Sequence, residues 1–172
     1  MAVFAKALTY VLLSEGGWSD NPSDPGGATM HGITLVKAKN HGITTKEALM
    51  TITPDKVAEI YAADYWRFDN IADQSIATKI MDMLVNMQSG VNGPAMKIVQ
   101  IALNDVGTCP VVVDGMWGPH TEYAVNVTDS DRLMEAMCHR CAERYMGIVE
   151  RNPSQSIFIK GWLRRAADVP RG

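Results

Sequence analysis

The chain has 172 residues, 47% of them hydrophobic, with a formal net charge of −3. That is enough for one compact domain with a buried core, or for such a domain with a small appended lobe. No stretch approaches the roughly 18 apolar residues of a membrane span, and Met1-Ala2-Val3-Phe4-Ala5-Lys6 is not a charged lead into an apolar run with a cleavage site, so the sequence shows no export signal.

The elements read as mostly helical. Phe4, Leu8 and Leu12 recur at helical spacing in an apolar segment from Ala2 to Ser14. A stretch rich in Gly, Pro, Asn and Asp follows, from Glu15 to Thr29. Thr34 is placed to cap a helix over Leu35–His41, with Gly42 as its stop. Thr45 can cap a short turn over Lys46–Met50. Thr53-Pro54 is a capping hydroxyl followed by proline at the first helical position, and that helix runs on through Val57, Ile60, Tyr61 and Asp64-Tyr65-Trp66. Asp73 or Ser75 starts the next, with Ile76, Ile80, Met83, Leu84 and Met87 on one stripe and Gly90 at its end. Asn92-Gly93-Pro94 opens another through Val106, closed by Gly107. Pro110–Val113 reads as a short strand. Asp129 or Ser130 caps a long helix through Val149, Pro153 breaks it, and Ser156–Ala167 forms the last. Gly90-Val91-Asn92-Gly93-Pro94 is the one hinge-like subdivision, giving regions 1–91 and 92–172 packed as one unit.

Charge is unevenly spread. Residues 1–138 carry 9 Lys/Arg against 16 Asp/Glu, whereas residues 139–172 carry 7 against 3. The basic tail fits an anionic partner such as a cell wall or membrane surface, or a solvated helix face. The acidic body and the small number of bases argue against nucleic acid. Cysteine appears three times, at Cys109, Cys138 and Cys141. An odd count without a signal peptide fits reduced thiols. Cys138-His139-Arg140-Cys141 lacks the second half of a four-ligand zinc site and lies in a helical pattern, so buried or half-buried thiols are expected there.

The stretch Glu15-Gly16-Gly17-Trp18-Ser19-Asp20-Asn21-Pro22-Ser23-Asp24-Pro25-Gly26-Gly27-Ala28-Thr29 is where chemistry concentrates. A carboxylate stands where the first helix ends, and turn residues deliver a second carboxylate and a hydroxyl. Glycosidic hydrolysis needs an acid for the leaving oxygen and a polar partner for water or the developing cation. Glu15 is the candidate general acid, walled by Trp18 and the Leu12/Leu13 end of the helix; by spacing alone it is equally an ordinary helix-end residue. Asp24 is the candidate second carboxylate, although Asp before Pro-Gly is also a routine turn residue. Asp20, in Asp20-Asn21-Pro22, competes with it. Thr29 can hold a water, Asp24 or the loop itself, and His31 suits a structural or sugar-binding role. Tyr65, Trp66 and Asn86 are candidates for lining a sugar cleft; each is equally readable as core or helix-end.

These residues carry a resemblance. Glu-Gly-Gly, then Asp-Pro-Gly-Gly-Ala-Thr, then Gly32-Ile33-Thr34 resembles glycoside hydrolase family 108, the N-acetylmuramidases of phages and bacteria. Tyr65-Trp66, Asp69-Asn70-Ile71 and Met81-Asp82-Met83-Leu84-Val85-Asn86 are similar to that family's later pattern, and Phe158 to Arg165 resembles its C-terminal end. Glu-x8-Asp-x4-Thr is also similar to the arrangement of T-even phage lysozymes, with one residue fewer between Asp and Thr. Val113-Asp114-Gly115-Met116-Trp117-Gly118-Pro119-His120-Thr121 resembles a turn of helical peptidoglycan-binding modules.

The resemblance implies a mainly α, lysozyme-like fold with a short strand pair and a C-terminal helical lobe. It implies cleavage of the β-1,4 bond between N-acetylmuramic acid and N-acetylglucosamine in peptidoglycan. Glu15 would be the acid, and Asp24 with Thr29 would position water or stabilise the sugar cation; no metal or organic cofactor is implied. Water between the carboxylates would mean inversion, the favoured outcome. The expected protein is a monomeric endolysin or related lytic enzyme, made in the host cytoplasm and released to the periplasm and wall through a holin-type pore. Phe158 and Trp162, beside basic residues, suit weak anionic membrane contact or docking of the last helix. The alternatives are a lytic transglycosylase, which also uses one glutamate, and a non-catalytic peptidoglycan-binding protein.

Overall fold

A computed structural model describes residues 1–20 and 27–170 of the chain. Most helices begin where a capping side chain is available. The hydroxyl of Thr34 accepts from the Lys37 N–H ahead of α2 (Leu35–Lys39), and that of Thr45 accepts from Ala48 ahead of α3 (Lys46–Met50). Thr53 does the same for Lys56 in α4 (Pro54–Tyr65), with Pro54 supplying the preset first φ. Asp73 caps α5 (Gln74–Asn86) through two N–H groups, and Asp129 caps α8 (Ser130–Arg151); each cap contributes about 1 kcal/mol. Before them, α1 (Phe4–Ser14) has its N-terminal extension tied down, the Ala2 N–H to the Ile71 carbonyl and the Val3 N–H to Gln74. α6 (Pro94–Val106) stops at Gly107, whose φ of 77° is the left-handed cap glycine accepts without strain.

α5 is the centre of the molecule. Every residue from Ile76 to Val85 is buried, as a helix surrounded on all sides requires, and α1, α4, α6 and α8 pack against it. The last region departs from the single helix expected over Ser156–Ala167. Pro153–Phe158 forms a 3-10 helix, and α9 (Ile159–Ala167) follows and packs on α8.

Among the described residues the fold is mainly α with one short antiparallel pair, as expected, but the strands lie elsewhere than at Pro110–Val113. β1 (Thr29–Met30) and β2 (Ile33–Thr34) pair with Thr29 opposite Thr34 and Met30 opposite Ile33. At Pro110–Val113 no strand forms, because the Asn104 side chain takes the place of a neighbour: it accepts the Val111 N–H at 2.7 Å and donates to its carbonyl at 2.9 Å. Pro119–Val127 forms α7, a helix the periodicity does not reveal, since only Thr121, Ala124 and Val125 are buried.

The Asp114–Gly118 turn is built from side chains rather than secondary structure. Buried Gln100 accepts the Gly115 N–H at 2.7 Å and donates to Asp114 Oδ1 at 2.8 Å, and Asp114 Oδ1 also accepts the Met116 N–H. Trp117 then meets Phe68 edge-on at 4.9 Å, Phe68 meets Trp66, and Trp66 meets Phe4. This aromatic chain joins the turn after α6 to the first helix.

Candidate active site

Glu15 is the residue at which α1 ends, with extended backbone. Its side chain is 13% exposed and is held from two sides. On one, Arg165 of α9 donates from Nη2 to Glu15 Oε1 at 2.7 Å. On the other stands the hairpin turn His31-Gly32, with φ of 50° and 73°, the left-handed pair that a two-residue hairpin prefers. A β-carbon built on Gly32 would lie 2.5 Å from Glu15 Oε2 and 2.8 Å from the Tyr61 hydroxyl. Glycine is therefore required twice at this position, for its backbone angle and for the close approach of the carboxylate.

Arg165 is shared. Its Nε donates to Asp82 Oδ1 at 3.0 Å, and Asp82 is 3% exposed on the central helix. Burial works against the Arg165 charge, but Asp82 and then Glu15 outweigh it and leave the pKa above the ordinary guanidinium value. The end of α9 is fixed in turn by Lys79, one turn before Asp82 on α5. The fully buried Lys79 ammonium donates to the carbonyls of Arg165, Ala166 and Asp168 at 3.1, 2.9 and 2.6 Å, satisfying groups a helix C-terminus leaves open. Tyr10 of α1 donates to Asp168 at 2.6 Å. The Glu15 carboxylate is thus positioned by a contact 150 residues away in sequence, itself braced on α1 and α5.

The other candidates are dispersed around this centre. Ser19 and Thr29 exchange backbone hydrogen bonds at 2.8 and 2.9 Å, and the Thr29 hydroxyl donates to the Gly27 carbonyl at 3.2 Å. Asp24 lies outside the described residues. Asp20 is committed to Lys46, with both oxygens accepting at 3.0 and 2.8 Å. His31 forms the turn and its carbonyl accepts from Tyr61 at 2.8 Å. Burial, and next the Glu15 charge, raises the Tyr61 pKa, so its hydroxyl stays a donor. Tyr65 is 1% exposed, with its hydroxyl against Lys37 and Gln88. Trp66 is a core ring at 6% exposure, and its indole N–H donates to Asp69. Asn86 donates to the Tyr145 hydroxyl and opens onto a recess of about 730 Å³ that includes Ser14, Trp162 and Arg165. That recess adjoins the Glu15 end of α1.

Arg165, Asp82, Tyr61 and Lys79 are parts of this site that spacing did not single out. A charged Asp within the apolar run Met81-Asp82-Met83-Leu84 was the available signal, since a buried carboxylate demands a cation.

Against known proteins, a family model described as glycosyl hydrolase 108 matches residues 8–87, and one described as a predicted peptidoglycan domain matches residues 94–167. A solved structure, that of Brucella abortus SagA, is 31% identical, aligns over 95% of this chain and 89% of that one, and gives a TM-score of 0.75. The chain belongs to glycosyl hydrolase family 108. No curated protein matches it.

As a family 108 protein it is a peptidoglycan-directed glycoside hydrolase with the lysozyme-like fold. None of its described helices is long and apolar enough to cross a membrane. Among the described residues no cluster of three or more His, Cys, Asp or Glu side chains is placed to hold a metal ion. Cys138 and Cys141 on α8 are free thiols, and burial pushes the Cys141 pKa up to about 12.

Proposed function

We propose that this hydrolase cleaves the β-1,4 bond between N-acetylmuramic acid and N-acetylglucosamine, with Glu15 protonating the leaving oxygen. The observation that carries the proposal is the Glu15 carboxylate, largely enclosed, with Oε1 committed to Arg165. That leaves Oε2 to hold the transferable proton. Asp24, with the Thr29 hydroxyl, positions the attacking water or stabilises the oxocarbenium-like sugar. The Asp20–Lys46 pair supports Asp24 over Asp20 in this role. Water between the two carboxylates gives inversion at the anomeric carbon. Asn86 and the recess beside it receive sugar, and His31 borders the cleft. Trp66 is left out because its ring is in the core.

The biological assignment is a monomeric endolysin-type enzyme, made in the cytoplasm, released through a holin-type pore, and acting in the periplasm and wall. Residues 1–91 carry the catalytic carboxylates, and residues 92–172 hold the wall and supply Arg165 to Glu15. Exposed Ile157 and Phe158, near Lys160 and Arg164, provide a weak contact with anionic lipid.

The test is mass spectrometry of purified peptidoglycan after digestion by the native chain and by Glu15→Gln. Reducing N-acetylmuramic acid ends from the native chain, reduced at least ~1000-fold in the variant, are expected. Anhydro-muramic ends would make it a lytic transglycosylase. An undiminished Glu15→Gln digest would remove Glu15 from the role of acid.

A further inference from the structure

A second groove lies away from Glu15, between the N-terminal part of α6, the Asp114–Met116 turn and α8. Its volume is about 800 Å³, the size of a site for a small organic ligand rather than a single ion. Ile98, Ile101 and Met116 give it an apolar side. Four cations face it, Lys97, Arg140, Arg144 and Arg151, with two acids, Asp114 and Glu143.

The charges are not equivalent. Arg140 is saturated, donating to both oxygens of Asp105 at 2.6 Å and to Glu143 at 2.7 Å, so it also neutralises Glu143. Asp114 is held ionised by the Gln100 and Met116 hydrogen bonds that build the turn. Lys97, Arg144 and Arg151 have no ion-pair partner among the described residues. The Arg144 Nε is buried and has no hydrogen-bond partner among those residues. That orphaned donor marks a guanidinium that its own fold does not fully satisfy, on a side chain that lines the groove. Gly147 adds a second observation. It sits inside the 22-residue helix α8, where glycine is less favourable than alanine. A β-carbon there would lie 3.3 Å from Arg151 Nη1, so glycine lets that guanidinium fold back along the helix into the groove.

We propose that this groove is a second wall-binding site, which takes the carboxylate-bearing peptide stem of peptidoglycan. Arg144 and Arg151 bind carboxylates with their planar forks, Lys97 adds a further positive charge, and the alanine methyls of the stem lie on Ile98, Ile101 and Met116. In peptidoglycan the free carboxylates are on the peptide and not on the neutral sugars, so a groove with uncompensated cations reads the stem. The Asp114 carboxylate provides a counter-charge for a stem amine. This site rests on the peptidoglycan reading but not on the identity of the acid, because it lies outside the Glu15 cleft.

The test is isothermal titration of the full chain with a soluble L-alanyl-γ-D-glutamyl-diaminopimelate tripeptide, which a glycosidase leaves intact. Saturable binding is expected, weakened about tenfold or more by Lys97→Glu and by Arg151→Glu, both exposed and suited to folded variants, and likewise by Arg144→Gln. Glu15→Gln should bind the tripeptide as the native chain does. No heat with the native chain, or equal binding by all three groove variants, would overturn the site. Equal competition by inorganic phosphate would overturn the peptide assignment and leave a general anion site. Because turnover is read separately from the Glu15→Gln digest, failure of either reading is distinguishable from failure of the other.

Discussion

At Gly32, two requirements meet in one residue: a φ of 73° and a carboxylate oxygen where a methyl would stand. Gly32→Ala should therefore cost about 1–2 kcal/mol in backbone strain and displace Glu15. Misplacement by about an ångström costs on the order of 100-fold in rate, so wall-clearing activity should fall far more than the melting temperature. Full activity in a folded Gly32→Ala chain would separate the turn from catalysis. Arg165 makes a second case. Arg165→Lys keeps one positive charge but cannot reach Glu15 and Asp82 with a fork, and each would be left partly unpaired at low exposure. Removing a partner from a buried pair costs roughly 3–5 kcal/mol, and the conservative variant should lose about half of that, with kcat falling while KM is little changed. A rise in KM alone would make Arg165 a substrate contact instead of a positioning residue. Glu15 itself was legible from the turn-rich stretch after α1. Its partner was not, because an ion pair spanning 150 residues leaves no local pattern, and Arg165 on its own reads as one more surface cation in a basic tail.

Among the elements, α9 is the one whose position the site depends on, and Lys79 holds its end. Lys79→Met should free three carbonyls at once, a loss of about 2–4 kcal/mol. Hydrogen exchange should quicken in α9 before it does in α5 or α6; uniform quickening would mean that Lys79 stabilises the whole core and not that helix in particular. The helices with capping Thr or Asp were readable because a cap is local chemistry, and Thr34, Thr45, Thr53, Asp73 and Asp129 all perform it. The hairpin and α7 were harder. Two-residue strands carry too few alternations to register, although His31-Gly32 held the turn signal. α7 buries one narrow face after Gly118-Pro119, so only its Pro start marked it. Val111–Val113 has strand composition, and the Asn104 side chain satisfies Val111 without a neighbouring strand: side-chain substitution for a ladder is a tertiary event that composition does not encode.

At the scale of the whole molecule, four phenols tie the elements together. Tyr10 joins α1 to the end of α9, Tyr61 joins α4 to the hairpin turn, Tyr65 joins α4 to Lys37, and Tyr145 joins α8 to Asn86 on α5. Burial is the leading cause that raises all four pKa values above the ordinary phenol value. The consequence for stability has a definite sign. Below about pH 10 both folded and unfolded chains keep these protons, so the phenols add no pH dependence. Above it the unfolded chain releases them while the folded chain retains them; the unfolded state then binds fewer protons, and stability falls as pH rises. With four groups acting together, the melting temperature should drop on the order of 10 °C between about pH 9 and pH 11. Phenolate absorbance from these rings should appear together with loss of helical circular dichroism, since burial, the leading cause of all four shifts, is relieved only when the fold opens. If the absorbance instead grew smoothly while the helices persisted, the rings would be ionising inside the folded protein, and the cross-ties would not be what holds α1, α4 and α9 around Glu15.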